Sequence, residues 1–298
     1  MRNFYDQVDW NKKRSFLVMA CFVVFVSLVA YLFGRASGYG YSWMISGILI
    51  SGITSLSSYY WSDKLILAIS GAKEASRSEF FNFYTVAENL SLAARIPKPK
   101  LYVINDSAPN AFATGRDPQH AVICATTGLL DKLNRTELEG VIGHEISHIK
   151  NYDIRLMSIV AVLVGLVSLL GDWFLRGRIG SDRRDKEGND GAIYVLAFVM
   201  ALLAPLTAQL IQLAISRRRE FLADASSAMI NKYPDGLISA LKKISQDKEP
   251  LEVANQATAH LYIVNPFKGS EIRNKISNLF NTHPPISERI KALQSENK

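Results

Sequence analysis

The sequence predicts a mainly α membrane protein, with about four transmembrane helices joined to a helical polar body that holds one small β-sheet. Three observations carry this. Four long runs are almost free of charge, capping-box patterns open helices in the polar stretches, and three short strand candidates lie between residues 101 and 125. Of the 298 residues, 48% are hydrophobic and 10% aromatic, a composition that excludes a disordered chain. The two cysteines, Cys21 and Cys124, cannot build a disulfide scaffold. A net charge of +7 and a pI near 9.3 admit nucleic acid or anionic lipid as partners until the distribution of charge is considered. The mean hydropathy of +0.07 averages apolar runs with a polar body and describes neither.

Residues 15–33 are uncharged and mostly Val, Phe, Leu and Ala. At ~1.5 Å per residue they span about 28 Å, close to the hydrocarbon thickness of a bilayer. The basic flank Lys12, Lys13, Arg14 would suit a signal peptide, but Phe33-Gly34-Arg35-Ala36 is a poor cleavage site, so a retained anchor is expected. Residues 41–61 are also uncharged, with Tyr41 and Trp43 at one end and Tyr59, Tyr60 and Trp61 at the other, an interfacial aromatic pattern. Gly47, Ser51 and Ser55 recur every four residues, a stripe suited to close helix packing in lipid. Residues 156–175 form a third run interrupted by Asp172, and residues 191–216 a fourth with Pro205 inside it. Membrane helices tolerate such a proline. Buried helices of a soluble core are usually shorter and carry some charge.

The expected organisation is a tail and two spans over 1–61 and a first part of the polar body over 62–153. A transmembrane or partly embedded hairpin follows over 154–216, and a second polar part over 217–298. In the polar parts, Ser76-Arg77-Ser78-Glu79 has capping-box spacing and predicts a helix ending before Pro97. Strands are expected over 101–104, 110–114 and 121–125, with a turn at Gly115-Arg116-Asp117-Pro118. Thr136-Glu137-Leu138-Glu139 reads as a second capping box, opening a helix that runs past Lys150. Further helices fit 217–231, 235–245 and 287–294.

That second capped helix carries His144-Glu145-Ile146-Ser147-His148. Positions four apart share a helical face, so both imidazoles can reach one metal ion. Glu145 beside them can touch a water instead of the metal. With only 5 histidines in the chain, two at this spacing around a glutamate are a specific signal. A catalytic zinc also needs a third protein ligand and an open position. The pattern with a glycine and a third histidine further along the same stretch fails, because Asn151 and Ile154 stand there. Glu220, Asp224, His260 and His283 are the candidates. Glu220 and Asp224 are four apart and share a face; one could ligate while the other holds a ligand imidazole by its second nitrogen. Two crossings between His148 and Glu220 would return the chain to the side it left, as one site requires.

At this point the sequence resembles the HtpX family of membrane zinc endopeptidases, relatives of the CAAX prenyl proteases, over nearly its whole length. His144, Glu145 and His148 match the zinc and base positions, so the resemblance implies a gluzincin-type (zincin) catalytic domain binding one zinc ion per chain. Glu220 and Asp224 match the third ligand and its supporting partner. Asn110-Ala111-Phe112-Ala113-Thr114-Gly115 resembles the edge strand that pairs with substrate, implying substrate contacts at Asn110, Ala111 and Phe112. Thr282-His283-Pro284-Pro285 with Arg289 resembles a motif near the active site. Phe221 stands where relatives often have Tyr.

The chemistry expected is peptide hydrolysis. Glu145 takes a proton from water and returns it to the leaving amine. His283 is the candidate second donor to the oxyanion, and Arg289 contacts substrate or orients its own motif. His120 and His260 belong to no motif and are expected to be surface or structural. The resemblance implies a multi-pass protein of the bacterial inner membrane with a cytoplasmic catalytic domain. Arg2, Lys12, Lys13 and Arg14 before the first run, against Arg35 alone after it, place the N-terminus inside. The five basic residues of 176–190 pull the other way. The implied partners are the lipid bilayer, protein substrates drawn from misfolded membrane proteins, and other membrane quality-control proteases. The basic balance reads as orientation toward an anionic leaflet and not as nucleic-acid binding. Two other functions compete. One is a narrow-specificity protease of the CAAX-processing type, against which four spans argue. The other is a non-catalytic scaffold or transporter, against which the lack of an ionisable residue near the centre of any run argues.

Overall fold

The structure, a computed structural model, describes residues 4–36, 41–179, 216–255, 257–267 and 284–296. It is mostly helical with one small mixed sheet. The run at 191–216 and His283 lie outside the described residues, apart from Ser216.

Helices α1 (Phe4–Ala36) and α2 (Tyr41–Ile69) pack along one another. Among the described residues α1 is long and apolar enough to cross a membrane, over Val8–Leu32. Helix α2 is built inside out relative to a helix in water. Its buried line is Gly47, Ser51, Ser55, Ser58 and Ser62, while Ile45, Ile48, Leu49, Ile50, Ile53 and Leu56 are exposed. The small-residue stripe read from the sequence is the contact face. A Cβ at Gly47 would lie 2.7 Å from the Ala30 Cβ, so glycine lets the two helices approach. Ser51 Oγ and Ser58 Oγ donate within the helix, to the Gly47 and Ser55 carbonyls at 2.5 and 2.7 Å. Helix α2 runs eight residues past its apolar stretch, to Ile69.

The sheet has strand order β1-β2-β4-β3, from β1 (Lys73–Glu74), β2 (Lys100–Ile104), β3 (Ala111–Gly115) and β4 (Ala121–Thr126). Strands β2 and β4 are parallel and the other pairings antiparallel. The three expected strands are present within one residue at each end. Strand β1 was not expected, being two residues long. The turn after β3 uses Gly115 at φ +132 and Asp117, whose carboxylate accepts from the His120 N–H at 2.9 Å.

Helix α3 (Phe81–Ala94) starts later than the sequence predicts. Its N-cap is Phe80, without a side-chain cap. Ser76 and Ser78 hydrogen-bond to each other, so that pattern forms a turn and not a capping box. After the short α4 (Thr127–Lys132) comes α5 (Arg135–Lys150). Its capping box is Asn134 with Glu137, two residues ahead of the expected one, and Thr136 Oγ1 donates to Asn134 Oδ1 at 2.8 Å. Asparagine is the stronger cap and Glu137 stands three positions beyond it. Glu137 also accepts from Lys243 Nζ at 2.8 Å and Ser239 Oγ at 2.6 Å.

Helix α5 does not run on past Lys150. Asn151 caps it, Tyr152 takes φ 58, and α6 (Asp153–Ile179) leaves at 85° to α5. The bend separates two environments. Helix α5 is surrounded by the sheet, α3, α7 (Arg217–Asn231) and α8 (Pro234–Gln246), within one apolar core. Helix α6 packs Leu156, Ile159, Val160 and Leu163 against Val18 and Phe22 of α1. Around the bend, cations lie over aromatic rings. Lys12 sits over Tyr152, Arg14 over Trp10, Arg116 over Tyr60, and Arg155 over Tyr59 and Tyr152, at 4.4–5.6 Å. Helix α9 (Ile286–Glu296) closes the polar body.

Candidate metal centre

Helical spacing puts His144 and His148 on one face of α5, and their Nε2 atoms lie 3.1 Å apart. Helix α7 brings Glu220 to the same point, with Oε2 3.7 Å from His144 Nε2 and Oε1 3.4 Å from His148 Nε2. Two glycines in the face of α5 permit this approach. A Cβ at Gly143 would stand 2.6 Å from Ser227 Oγ of α7, and one at Gly140 2.6 Å from the Leu237 nitrogen of α8. Ser227 Oγ donates to the Gly140 carbonyl at 2.7 Å, tying α7 to α5. All three side chains are buried, at 1–5% exposure.

Each imidazole is held from behind by a carboxylate. Asp224 Oδ1 lies 2.9 Å from His144 Nδ1, and Asp153 Oδ2 lies 3.1 Å from His148 Nδ1. With both rings neutral, as metal binding requires, each Nδ1–H donates outward and each Nε2 lone pair points inward. Arg289, 0% exposed, holds Asp224 through Nε at 2.8 Å and Nη2 at 2.6 Å. Its Nη1 donates to the Ile263 carbonyl at 3.1 Å and stands 3.9 Å from Glu220. Arg289 therefore supports the site from within the core, through Asp224.

Burial and the Arg289 charge push His144 down to about 4 against the pull of Asp224. For His148, burial alone would lower the pKa, but the Asp153 hydrogen bond and the Glu220 charge raise it to about 9. Burial would raise Asp224, and Arg289 overcomes it, holding the carboxyl below its ordinary value. Glu145 is 2% exposed. Burial, helped by the Glu220 charge, raises it to about 7 against His148, Arg289 and the Ala113 N–H, which donates to its carboxylate.

The strand expected to receive substrate is held by the chain itself. Both faces of the Asn110 amide are engaged, with Nδ2 donating to the Val264 carbonyl at 2.9 Å and Oδ1 accepting from the Ala111 N–H at 3.1 Å. Its backbone exchanges hydrogen bonds with Thr126. Ala111 accepts from the Ile263 N–H at 3.0 Å, and Phe112 packs edge-on against Tyr262 at 5.1 Å. Gly115 donates to Ser158 Oγ of α6 at 3.2 Å. Asn110, Ala111 and Phe112 are 0–2% exposed and clamp 262–264 onto the sheet, of which β3 is an edge strand. His260 Nε2 donates to the Met157 carbonyl at 3.1 Å, a buried structural role, and His120 pairs with Asp117 at the surface.

Sequence reasoning missed Asp153, Ala113 and Asn11. Asp153 opens α6 five residues after His148, and only the 85° bend turns it back onto that ring. Asn11 Nδ2 donates to Asp153 Oδ1 at 2.7 Å.

The residues present fit a metal ion. Two inward imidazole lone pairs and a carboxylate converge in a buried space, with ligand atoms all within 4.8 Å of one another. The Glu220 carboxylate lies within 3.4–3.7 Å of both Nε2 atoms, a donor set of two imidazoles and one carboxylate that suits a divalent cation.

Residues 79–297 match the family described as Peptidase family M48. The chain is 46% identical over 291 residues to a protein named Protease HtpX homolog of Dictyoglomus turgidum, covering 98% of this chain and 94% of that one. It is 45% identical over 304 residues to a protein of the same name from Caldanaerobacter subterraneus subsp. tengcongensis, at 99% and 98% coverage. Among solved structures, the crystal structure of S. mikatae Ste24p matches with a TM-score of 0.49 and 19% identity, over 96% of this chain and 66% of that one.

Proposed function

The chain belongs to peptidase family M48 and is a membrane metallopeptidase; on that premise we propose that it is a zinc endopeptidase that cleaves misfolded or damaged membrane proteins. The observation that carries the reading is the convergence of His144, His148 and Glu220 beside the buried carboxylate of Glu145. Two imidazoles and a carboxylate are a zinc donor set that leaves one position open.

A zinc ion held there would supply Lewis-acid polarisation of the scissile carbonyl and make water a better nucleophile. Glu145, held near neutrality by burial, accepts the proton of the attacking water and delivers it to the leaving amine. Asp224 and Asp153 keep the two rings in the tautomer that leaves Nε2 free. Arg289 keeps Asp224 ionised. His283 is retained as the proposed second donor to the oxyanion.

In this reading α1, α2, α6 and the run at 191–216 cross the inner membrane of a bacterium, with the catalytic body in the cytoplasm. The outward apolar face of α2 and the ring of cations and aromatics around the bend support it. The site then lies at the level of the interface, where exposed segments of membrane proteins can reach it, and the enzyme shares substrates with other quality-control proteases.

The test uses full-length protein in detergent. Near one zinc per chain in wild type and Glu145→Gln, with casein cleaved by wild type alone, is expected. Equal cleavage by both removes Glu145 as the base.

A further inference from the structure

We propose that Asn11, on the N-terminal helix α1, is a positioning residue of the metal site, so that the membrane anchor is itself a working part of the peptidase. The match to the peptidase family starts at residue 79, and Asn11 lies well outside it.

The geometry is a relay of hydrogen bonds. Asn11 is 3% exposed, and each of its two amide hydrogens has an acceptor. One goes to Asp153 Oδ1 at 2.7 Å and the other to the Asn151 carbonyl at 3.0 Å. Asp153 uses its other oxygen for His148 Nδ1, at 3.1 Å. The carboxamide therefore fixes the rotation of the carboxylate that fixes the ligand ring. The Asn151 bond pins the C-cap of α5, the helix that carries both histidines. On the remaining side, Arg219 Nη1 lies 3.4 Å from both Asn11 Oδ1 and Asp153 Oδ1. Arg219 adjoins Glu220 in the chain, so the same cluster reaches toward the third ligand.

Packing alone does not account for this residue. Val18 and Phe22 of α1 supply the apolar contact with α6. A carboxamide with both hydrogens committed is not needed to anchor a helix in lipid, where an unpaired one would be costly. Asparagine suits the position because only a side-chain amide offers two donors on one short arm.

The proposal rests on the metal-site reading above, and the test separates the two. Full-length protein in detergent is loaded with zinc, and the rate of zinc transfer to a chelating dye is measured. The d–d spectrum of the cobalt(II)-substituted protein reports ligand geometry. Asn11→Ala, and Asn11→Asp, which keeps the volume but loses both donors, are compared with Val18→Ala, which loosens packing and spares the relay. Both Asn11 variants are expected to lose zinc about 10-fold faster than wild type, the lower end for a partner behind the ligands, and to shift the cobalt bands. Val18→Ala should melt earlier with zinc release and cobalt bands unchanged. Wild-type release and spectra in Asn11→Asp overturn the proposal even if Asn11→Ala does not fold. Acceleration by Val18→Ala equal to that by the Asn11 variants also overturns it. Failure of wild type to hold zinc, or no effect of Glu220→Ala on release, overturns the metal-site reading instead.

Discussion

His144 and His148 face one another through Nε2 at 3.1 Å, while each Nδ1 is held by its own buried carboxylate, Asp224 and Asp153. Burial and the Arg289 charge outweigh Asp224 at His144, whereas Asp153 and Glu220 outweigh burial at His148. In the metal-free protein one ring is driven neutral and the other cationic.

That asymmetry gives the metal-free protein a pH signature. His148, raised to about 9, contributes stability that is present below its ordinary value near 6.5 and is lost as pH rises through 9. Glu145, raised to about 7, likewise loses its contribution between about 4.5 and 7. His144, lowered to about 4, acts oppositely, losing stability as pH falls from 6.5 to 4. The last two largely cancel in acid, leaving a net fall from about pH 6.5 to 9. Chelator-treated protein should melt progressively earlier over that window, by calorimetry in detergent. The metal-loaded protein should not, because the ligands must be deprotonated to bind.

Arg289 and Asp224 form a buried pair at 2.6 Å, with side chains 1–2% exposed. Asp224→Ala leaves a buried guanidinium whose nearest remaining carboxylate among the described residues is Glu220, 3.9 Å away. A loss of about 3–5 kcal/mol is expected, read from denaturant unfolding, together with weaker metal binding at equilibrium dialysis.

The start of α5 separates two capping assignments. Asn134→Ala removes the side chain that accepts from the Glu137 N–H at 3.0 Å and should cost about 1 kcal/mol. Thr136→Ala removes only a bond to Asn134 Oδ1 and should cost less than half as much. Peptidase activity per folded molecule should be unchanged in both.

Gly143→Ala tests how the third ligand is brought in. The new Cβ would meet Ser227 Oγ at 2.6 Å, pushing α7 from α5 and Glu220 from the histidines. Metal content should fall well below one ion per chain, by elemental analysis. Gly52→Ala, which meets nothing within 4 Å, should keep it.

Periodicity and local chemistry are written along the chain, and that is where the sequence reading succeeded. The two histidines share a helical face because four residues make about one turn. The stripe at Gly47, Ser51 and Ser55 became the α1–α2 contact for the same reason. The strands followed from short apolar runs between turn residues. The caps of α3 and α5 were misread by two or more residues, because several polar side chains nearby could cap and only the folded backbone selects one.

Contacts between distant residues carry no such local mark. No spacing shows that Val264 stands against the Asn110 amide. Nor does any spacing show that α9 carries Arg289 into the core onto Asp224. The sequence alone determined that a capped helix would present two imidazoles on one face, with a glutamate beside them, in a chain with apolar runs. Tertiary structure decided what holds those imidazoles. The 85° bend after Tyr152 sets Asp153 behind His148, and α1 sets Asn11 behind Asp153, 142 residues away in the chain. Hydrogen bonds of that range depend on how whole helices pack, and no spacing along the chain encodes them.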